Sequence, residues 1–87
     1  MPNQSEIIAR IEKVIREELD LPSELTDVGP ETLLFKGGLE LDSFAIVDLI
    51  SRLETQLSFE FRESDFREEH FRNIGALGGL VDRYVNG

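Results

Sequence analysis

The 87-residue chain has no cysteine. A disulfide scaffold and thiolate metal sites are therefore excluded, and any thioester chemistry must use a sulfur supplied from outside. There is one histidine, His70, set among Glu68, Glu69 and Phe71, which reads as an ordinary helix-end residue and not as a ligand. No His/Cys cluster and no EF-hand spacing exists to converge on a metal. No residue pairing supplies a nucleophile with its own base, so no catalytic residue is assigned and an enzyme is not expected. Gly37-Gly38 lacks the lysine and the spacing of a phosphate-cradling loop. Glu17-Glu18 and Glu68-Glu69 read as solvated helix ends, not as an acid/base pair. No apolar run is long enough to cross a bilayer, and Met1 to Glu6 lacks the basic and apolar regions of a signal peptide. A cytoplasmic protein is the expectation.

Basic residues are also few, 9 against 18 acidic ones, for a formal net charge of −9. The excess is concentrated. Residues 20–65 hold 11 acids and 3 bases, whereas residues 1–19 hold 4 and 3 and residues 66–87 hold 3 and 3. Such a field repels nucleic acid and anionic membranes and steers toward basic protein surfaces.

Hydrophobic residues make up 40% of the chain, enough for one compact domain over 1–87 and too many for a disordered one. Ile7, Ile8, Ile11, Val14, Ile15 and Leu19 fall on one helical face. Asn3 with Glu6, or Ser5 alone, is placed to cap the start of this first helix, and Pro22 to stop it. Residues 20–42, punctuated by Pro22, Gly29, Pro30, Gly37 and Gly38, read as a long loop. Its apolar residues, Leu33, Leu34, Phe35 and Leu39 among them, should pin it across the core, with a short turn of helix at Glu31–Phe35.

A second helix is expected from Ser43 to Leu57, with Asp42 as its N-cap. Phe44, Val47, Ile50, Leu53 and Leu57 form its stripe, widened by Ile46 and Leu49. Phe59 and Phe61 then enter the core from an extended link. A short third helix is expected at Glu63–Glu69, with Ser64 as a cap and Phe66 pointing inward. A last helix should start after Asn73 and run to about Val85, burying Ile74, Leu77, Leu80, Val81 and Tyr84. Gly75, Gly78 and Gly79 are each roughly 1 kcal/mol worse than alanine there. Either close approach to another helix offsets that cost or this helix is frayed. The expected fold is all-α, a small four-helix bundle.

Ser43 is the residue that stands out. An aspartate just before it accepts hydrogen bonds from the free N–H groups at a helix start and fixes where that helix begins. The positive end of the helix dipole then favours a phosphate on the Ser43 oxygen. No histidine or lysine lies beside it in sequence, so its hydroxyl suits modification by another enzyme. Asp42-Ser43 is also what an ordinary capping pair looks like. Ser5, Ser23, Ser51, Ser58 and Ser64 have no comparable placement.

The order of elements, with Gly38-Leu39 and Leu41-Asp42-Ser43-Phe44 opening an acidic second helix and Phe71-x-Asn73-Ile74-x-x-Leu77 opening the last, resembles the acyl carrier protein family over essentially the whole chain. The resemblance implies a 4′-phosphopantetheine arm on Ser43, moved from coenzyme A by a phosphopantetheinyl transferase with Mg²⁺. Acyl or aminoacyl cargo would be held on it as a thioester and delivered by a monomeric carrier to fatty-acid, polyketide or specialised biosynthetic enzymes. It makes Asp42 the helix cap and a transferase recognition point. Phe44 takes the place of the motif's usual leucine, packing the start of the second helix and lining the route of the arm. Asp48 and Glu54 become carboxylates that meet basic partner surfaces.

Leu41 stands where fatty-acid members usually carry glycine or alanine, and Ala45, Ser51 and Arg52 face outward where those members carry more acids. These departures, with the Phe71-x-Asn73-Ile74 segment, make the chain look more like stand-alone carriers of specialised pathways. An aminoacyl or peptidyl carrier loaded by an adenylating ligase, and an unmodified acidic interaction module, stay open as alternatives.

Overall fold

A computed structural model describes residues 2–19, 28–35 and 37–87. These residues form three α-helices and two short 3-10 turns, with no strand among them. The described residues are all-helical, as expected from the sequence, with three α-helices in place of four.

Helix α1 spans Gln4–Glu17 and opens on a capping box: Asn3 Oδ1 accepts the Glu6 N–H at 2.9 Å while Glu6 Oε1 accepts the Asn3 N–H. It ends before Leu19, whose N–H still donates to the Val14 carbonyl at 3.0 Å and whose side chain is buried. Pro22, expected to stop this helix, lies outside the described residues. Helix α2 spans Ser43–Leu57 and α3 spans Ile74–Asn86, capped by Asp42 and Asn73 respectively. Ile7, Ile11, Val14 and Ile15 of α1, Leu49 and Leu53 of α2, and Ile74, Leu77 and Val81 of α3 share one fully buried core with Leu34. Truncating any of the large ones to alanine costs about 2–5 kcal/mol.

Of the glycines of α3, Gly78 marks a close approach. A Cβ on Gly78 would stand 2.5 Å from Ile8 Cγ1, so α1 and α3 meet at a distance that only glycine permits. Gly79 faces no such neighbour; its nearest atom is Gln4 Nε2 at 3.6 Å.

Three local expectations are corrected. The helical turn at Glu31–Phe35 does not form. The backbone there bonds to the start of α3 instead: Thr32 and Pro30 carbonyls accept the Ile74 and Gly75 N–H groups at 3.2 and 2.8 Å, and Leu34 N–H donates to Arg72. Leu33 pairs with Asn73 as an isolated antiparallel bridge. This segment thereby satisfies the first free donors of α3, which no residue inside that helix can reach.

The short third helix is replaced by two 3-10 turns, Glu63–Asp65 and Glu68–Phe71, with extended backbone at Arg67 between them and no cap from Ser64. Tyr84 of α3 causes the first to stay tight: its hydroxyl accepts the Arg62 N–H at 2.9 Å and donates to Asp65. Phe66 stacks on Phe71 and packs edge-on to Phe61, yet it remains 49% exposed instead of turning inward.

The buried face of α2 is rotated from the expected stripe. Ile46, Leu49, Ile50 and Leu53 face the core, while Val47 is 60% exposed. Eight of the fifteen residues of α2 are apolar, more than one face holds. One edge must therefore meet water, and it is the edge beside Ser43.

Candidate functional site

Asp42 is placed by backbone bonds that tie residues 38–41 to residues 33–35. Leu39 and Leu41 N–H groups donate to the Leu33 and Leu34 carbonyls at 2.8 and 2.9 Å, and Gly38 and Glu40 both donate to Phe35. A Cβ on Gly38 would collide with the Leu33 carbonyl oxygen, so the closure requires glycine there. Leu39 and Leu41 are buried, and the exposed Glu40 between them takes a left-handed conformation, φ 52°. Two buried leucines and a glycine-dependent closure therefore fix the chain immediately ahead of α2.

At the junction, Asp42 Oδ1 accepts the Ala45 N–H at 2.8 Å, and the Asp42 carbonyl accepts the first helical bond, from Ile46, at 3.0 Å. Ser43 is the first residue of α2 and is exposed. Its N–H and that of Phe44 have no hydrogen-bond partner among the described residues. The Ser43 oxygen thus stands at a capped helix N-terminus, in solvent, with two backbone donors uncommitted. That environment fits a phosphate ester. Among the described residues no histidine, lysine or carboxylate is hydrogen-bonded to the Ser43 oxygen.

Phe44 does not pack the start of α2 as expected. It is 85% exposed. Val47, one turn on, is exposed as well and extends the apolar strip that Phe44 begins.

Asp48 and Glu54 lie roughly 7.5 and 16.5 Å along the α2 axis from Ser43 at 1.5 Å per residue. Both are engaged. Asp48 Oδ1 accepts from Arg52 Nε at 2.8 Å, and Arg52 Nη1 reaches Glu18 Oε1 at 3.1 Å. The Asp48 hydrogen bond, and then the Glu18 one, hold the Arg52 guanidinium above its already high ordinary pKa. Gln56 closes the group by donating to both Glu18 oxygens at 3.0 and 3.1 Å. Arg52, expected to face outward, is thus held between two carboxylates and ties α2 to the end of α1. Glu54 is half-buried, and its Oε2 accepts the Phe61 N–H at 2.7 Å.

The structure brings Asp42, Ser43 and Phe44 together and sets Asp48 and Glu54 apart, further down the helix. Sequence reasoning missed the exposed Val47 and Phe66. The surplus of apolar residues in α2 was the available signal for Val47; Phe66 had none. His70 Nε2 lies 4.0 Å from Glu69 Oε1. Among the described residues, no group of three or more His, Cys, Asp or Glu side chains could hold a metal ion, and no helix is long and apolar enough to cross a membrane.

A family model described as a phosphopantetheine attachment site matches residues 6–81. No curated protein matches the chain.

Proposed function

Because this chain belongs to the phosphopantetheine-attachment family, and is therefore a carrier protein bearing covalent 4′-phosphopantetheine, we propose that Ser43 is the attachment point and that the cargo is an acyl or aminoacyl group. The observation that carries this reading is the exposed Ser43 hydroxyl at the capped start of α2, with Asp42 bonded to Ala45 and no competing base.

The chemistry of attachment belongs to the transferase, and the carrier's residues present the acceptor. Ser43 Oγ forms a bond to the phosphorus that bears the pantetheine arm in coenzyme A. The pyrophosphate P–O bond breaks, adenosine 3′,5′-bisphosphate leaves, and the hydroxyl proton passes to a base on the transferase. Mg²⁺ on the transferase would neutralise the leaving phosphate. On the carrier, Asp42 holds the first turn so that the hydroxyl keeps one orientation, and the helix N-terminus favours the negative charge that arrives. When bound, the arm supplies a terminal thiol that holds cargo as a thioester. The chain has no cysteine of its own to compete for that cargo.

Partner enzymes that reach Ser43 must cover Phe44, which makes this ring the first contact of the docking surface. Asp48 and Glu54 form its acidic continuation. Each is already held within the fold, by Arg52 and by the Phe61 N–H, so a basic partner surface competes with those bonds. Fatty-acid, polyketide and specialised synthases, or an adenylating ligase, are the enzymes this surface would serve.

The test is intact-mass spectrometry after incubation with coenzyme A, Mg²⁺ and a broad-specificity transferase. The wild type should gain one phosphopantetheinyl unit and Ser43→Ala none. An unchanged wild-type mass with several transferases contradicts the reading and leaves an unmodified interaction module in its place. Salt-sensitive partner binding that survives Ser43→Ala would mark that module.

A further inference from the structure

Cargo tethered at Ser43 has an apolar surface within reach, and one ring decides what that surface can hold. Helix α1 packs against both α2 and α3, while the α2 and α3 backbones stand further apart. The link from Phe59 to Phe71 fills that gap with aromatic side chains. Phe59 stacks on Tyr84 with centroids 5.3 Å apart, Tyr84 meets Phe61 at 5.5 Å, and Phe61 meets Phe66 and Phe71 at 4.8 and 5.7 Å. The row is also fastened from behind, since the Tyr84 hydroxyl bonds Asp65 and the Arg62 N–H. Burial and the Asp65 bond both hold this hydroxyl in its protonated form, above the ordinary tyrosine pKa.

Phe66 is the outermost member. Two open surface grooves run beside α2, one floored by Ile46 and Phe71 and the other by Ile50 and Phe61, and the Phe66 ring is common to both. Ile46 and Val47 are three and four residues from Ser43, one helical turn away on its side of α2. Leu49, Leu53, Ile74 and Leu77 are fully buried in the core.

We propose that Phe66 is a specificity-determining residue: it divides the groove beside Ser43 and, with Phe61 and Phe71, bars the way between α2 and α3, so that the carrier holds short acyl groups at its surface and leaves longer chains in solvent. This rests on the reading of Ser43 as the attachment point. A short chain stays against either half-groove. A longer one meets the fastened row and cannot pass to the core without displacing stacked rings. Shortening Phe66 to alanine joins the two grooves into one trough floored by Ile46, Ile50, Phe61 and Phe71.

The experiment loads wild type and Phe66→Ala with acetyl- and octanoyl-phosphopantetheine from the corresponding coenzyme A thioesters, with intact mass confirming each product. Thermal midpoints and methyl NMR spectra of each pair are then compared. In the wild type, the octanoyl and acetyl forms should give the same midpoint and the same Leu49, Leu53 and Leu77 methyl shifts. In Phe66→Ala, the octanoyl form should melt higher than the acetyl form and shift the Ile46 and Ile50 methyls. Octanoyl-dependent shifts of Leu49, Leu53 or Leu77 in the wild type overturn the proposal, and so does a Phe66→Ala pair that behaves like the wild-type pair. If Phe66→Ala fails to fold, the wild-type comparison decides alone. A wild type that accepts no arm removes the Ser43 premise, and that outcome is seen at the mass step before any NMR comparison.

Discussion

Asp42 is where local structure and chemistry meet most closely, and two substitutions separate its roles. Asp42→Asn keeps a side-chain oxygen that can accept the Ala45 N–H, now at 2.8 Å, and loses only the charge facing the helix dipole. Asp42→Ala loses both. Removing an N-cap acceptor costs about 1 kcal/mol, and removing a favourable charge at a helix N-terminus costs about 0.3–1 kcal/mol. On a domain of this size, 1 kcal/mol moves the thermal midpoint by about 4–8 °C. Asparagine should therefore lower the midpoint by a few degrees and alanine by roughly twice as much or more. Asp42 is exposed, so the asparagine deficit should shrink at high salt while the alanine deficit largely remains. Circular dichroism melts at two salt concentrations read this directly. Amide hydrogen exchange should show faster exchange of the Ala45 N–H in Asp42→Ala alone. Transferase kcat/KM on the two variants then follows the state of the first turn, with asparagine modified faster than alanine. If asparagine falls as far as alanine in stability and in exchange, the cap bond does not hold Ser43 in place, and the account of how the hydroxyl is presented is wrong.

Neighbouring glycines of α3 should respond to alanine differently. Gly79→Ala meets only Gln4 Nε2 at 3.6 Å and should gain about 1 kcal/mol of helix propensity in urea melts. Gly78→Ala forces a Cβ to 2.5 Å from the stiff Ile8 side chain; overpacking of about 1–3 kcal/mol should cancel or exceed the same gain. Equal stabilisation by both would contradict the close α1–α3 approach. Ser58, at φ 56° behind α2, is exposed, so Ser58→Gly should stabilise the domain by roughly 1 kcal/mol; a loss on melting would refute that strain. Tyr84→Phe removes two hydrogen bonds at the 3-10 turn and should cost about 1–3 kcal/mol. The Tyr84 hydroxyl has its pKa raised by burial and by Asp65. Its contribution is therefore full below the unfolded value of about 10 and is lost as pH climbs through the higher folded value. Alkaline destabilisation should be steeper in the wild type than in Tyr84→Phe. Tyr84 is the only tyrosine, so phenolate absorbance follows this one group, and ionisation at the ordinary value would contradict the clasp.

Helix α1 was readable almost residue by residue, because a capping box and a single apolar stripe are both encoded within a few neighbouring positions. The Asp42-Ser43 junction was readable for the same reason: the cap bond spans three residues. The rest depends on partners distant in the chain. Nothing near Glu63 says that Tyr84 will hold it in a 3-10 turn. Nothing near Thr32 says that its carbonyl will serve the N–H of Ile74. The close approach at Gly78 is made by Ile8, seventy residues earlier. For α2, periodicity established a helix but could not choose among overlapping apolar faces. It therefore placed Phe44 and Val47 in the core, when both are exposed.

The most direct test of the central claim is tandem mass spectrometry that locates the arm on the modified chain. Fragment ions should confine the phosphodiester to Ser43. An arm found on Ser5, Ser23, Ser51, Ser58 or Ser64, or retained in full by Ser43→Ala, would contradict it.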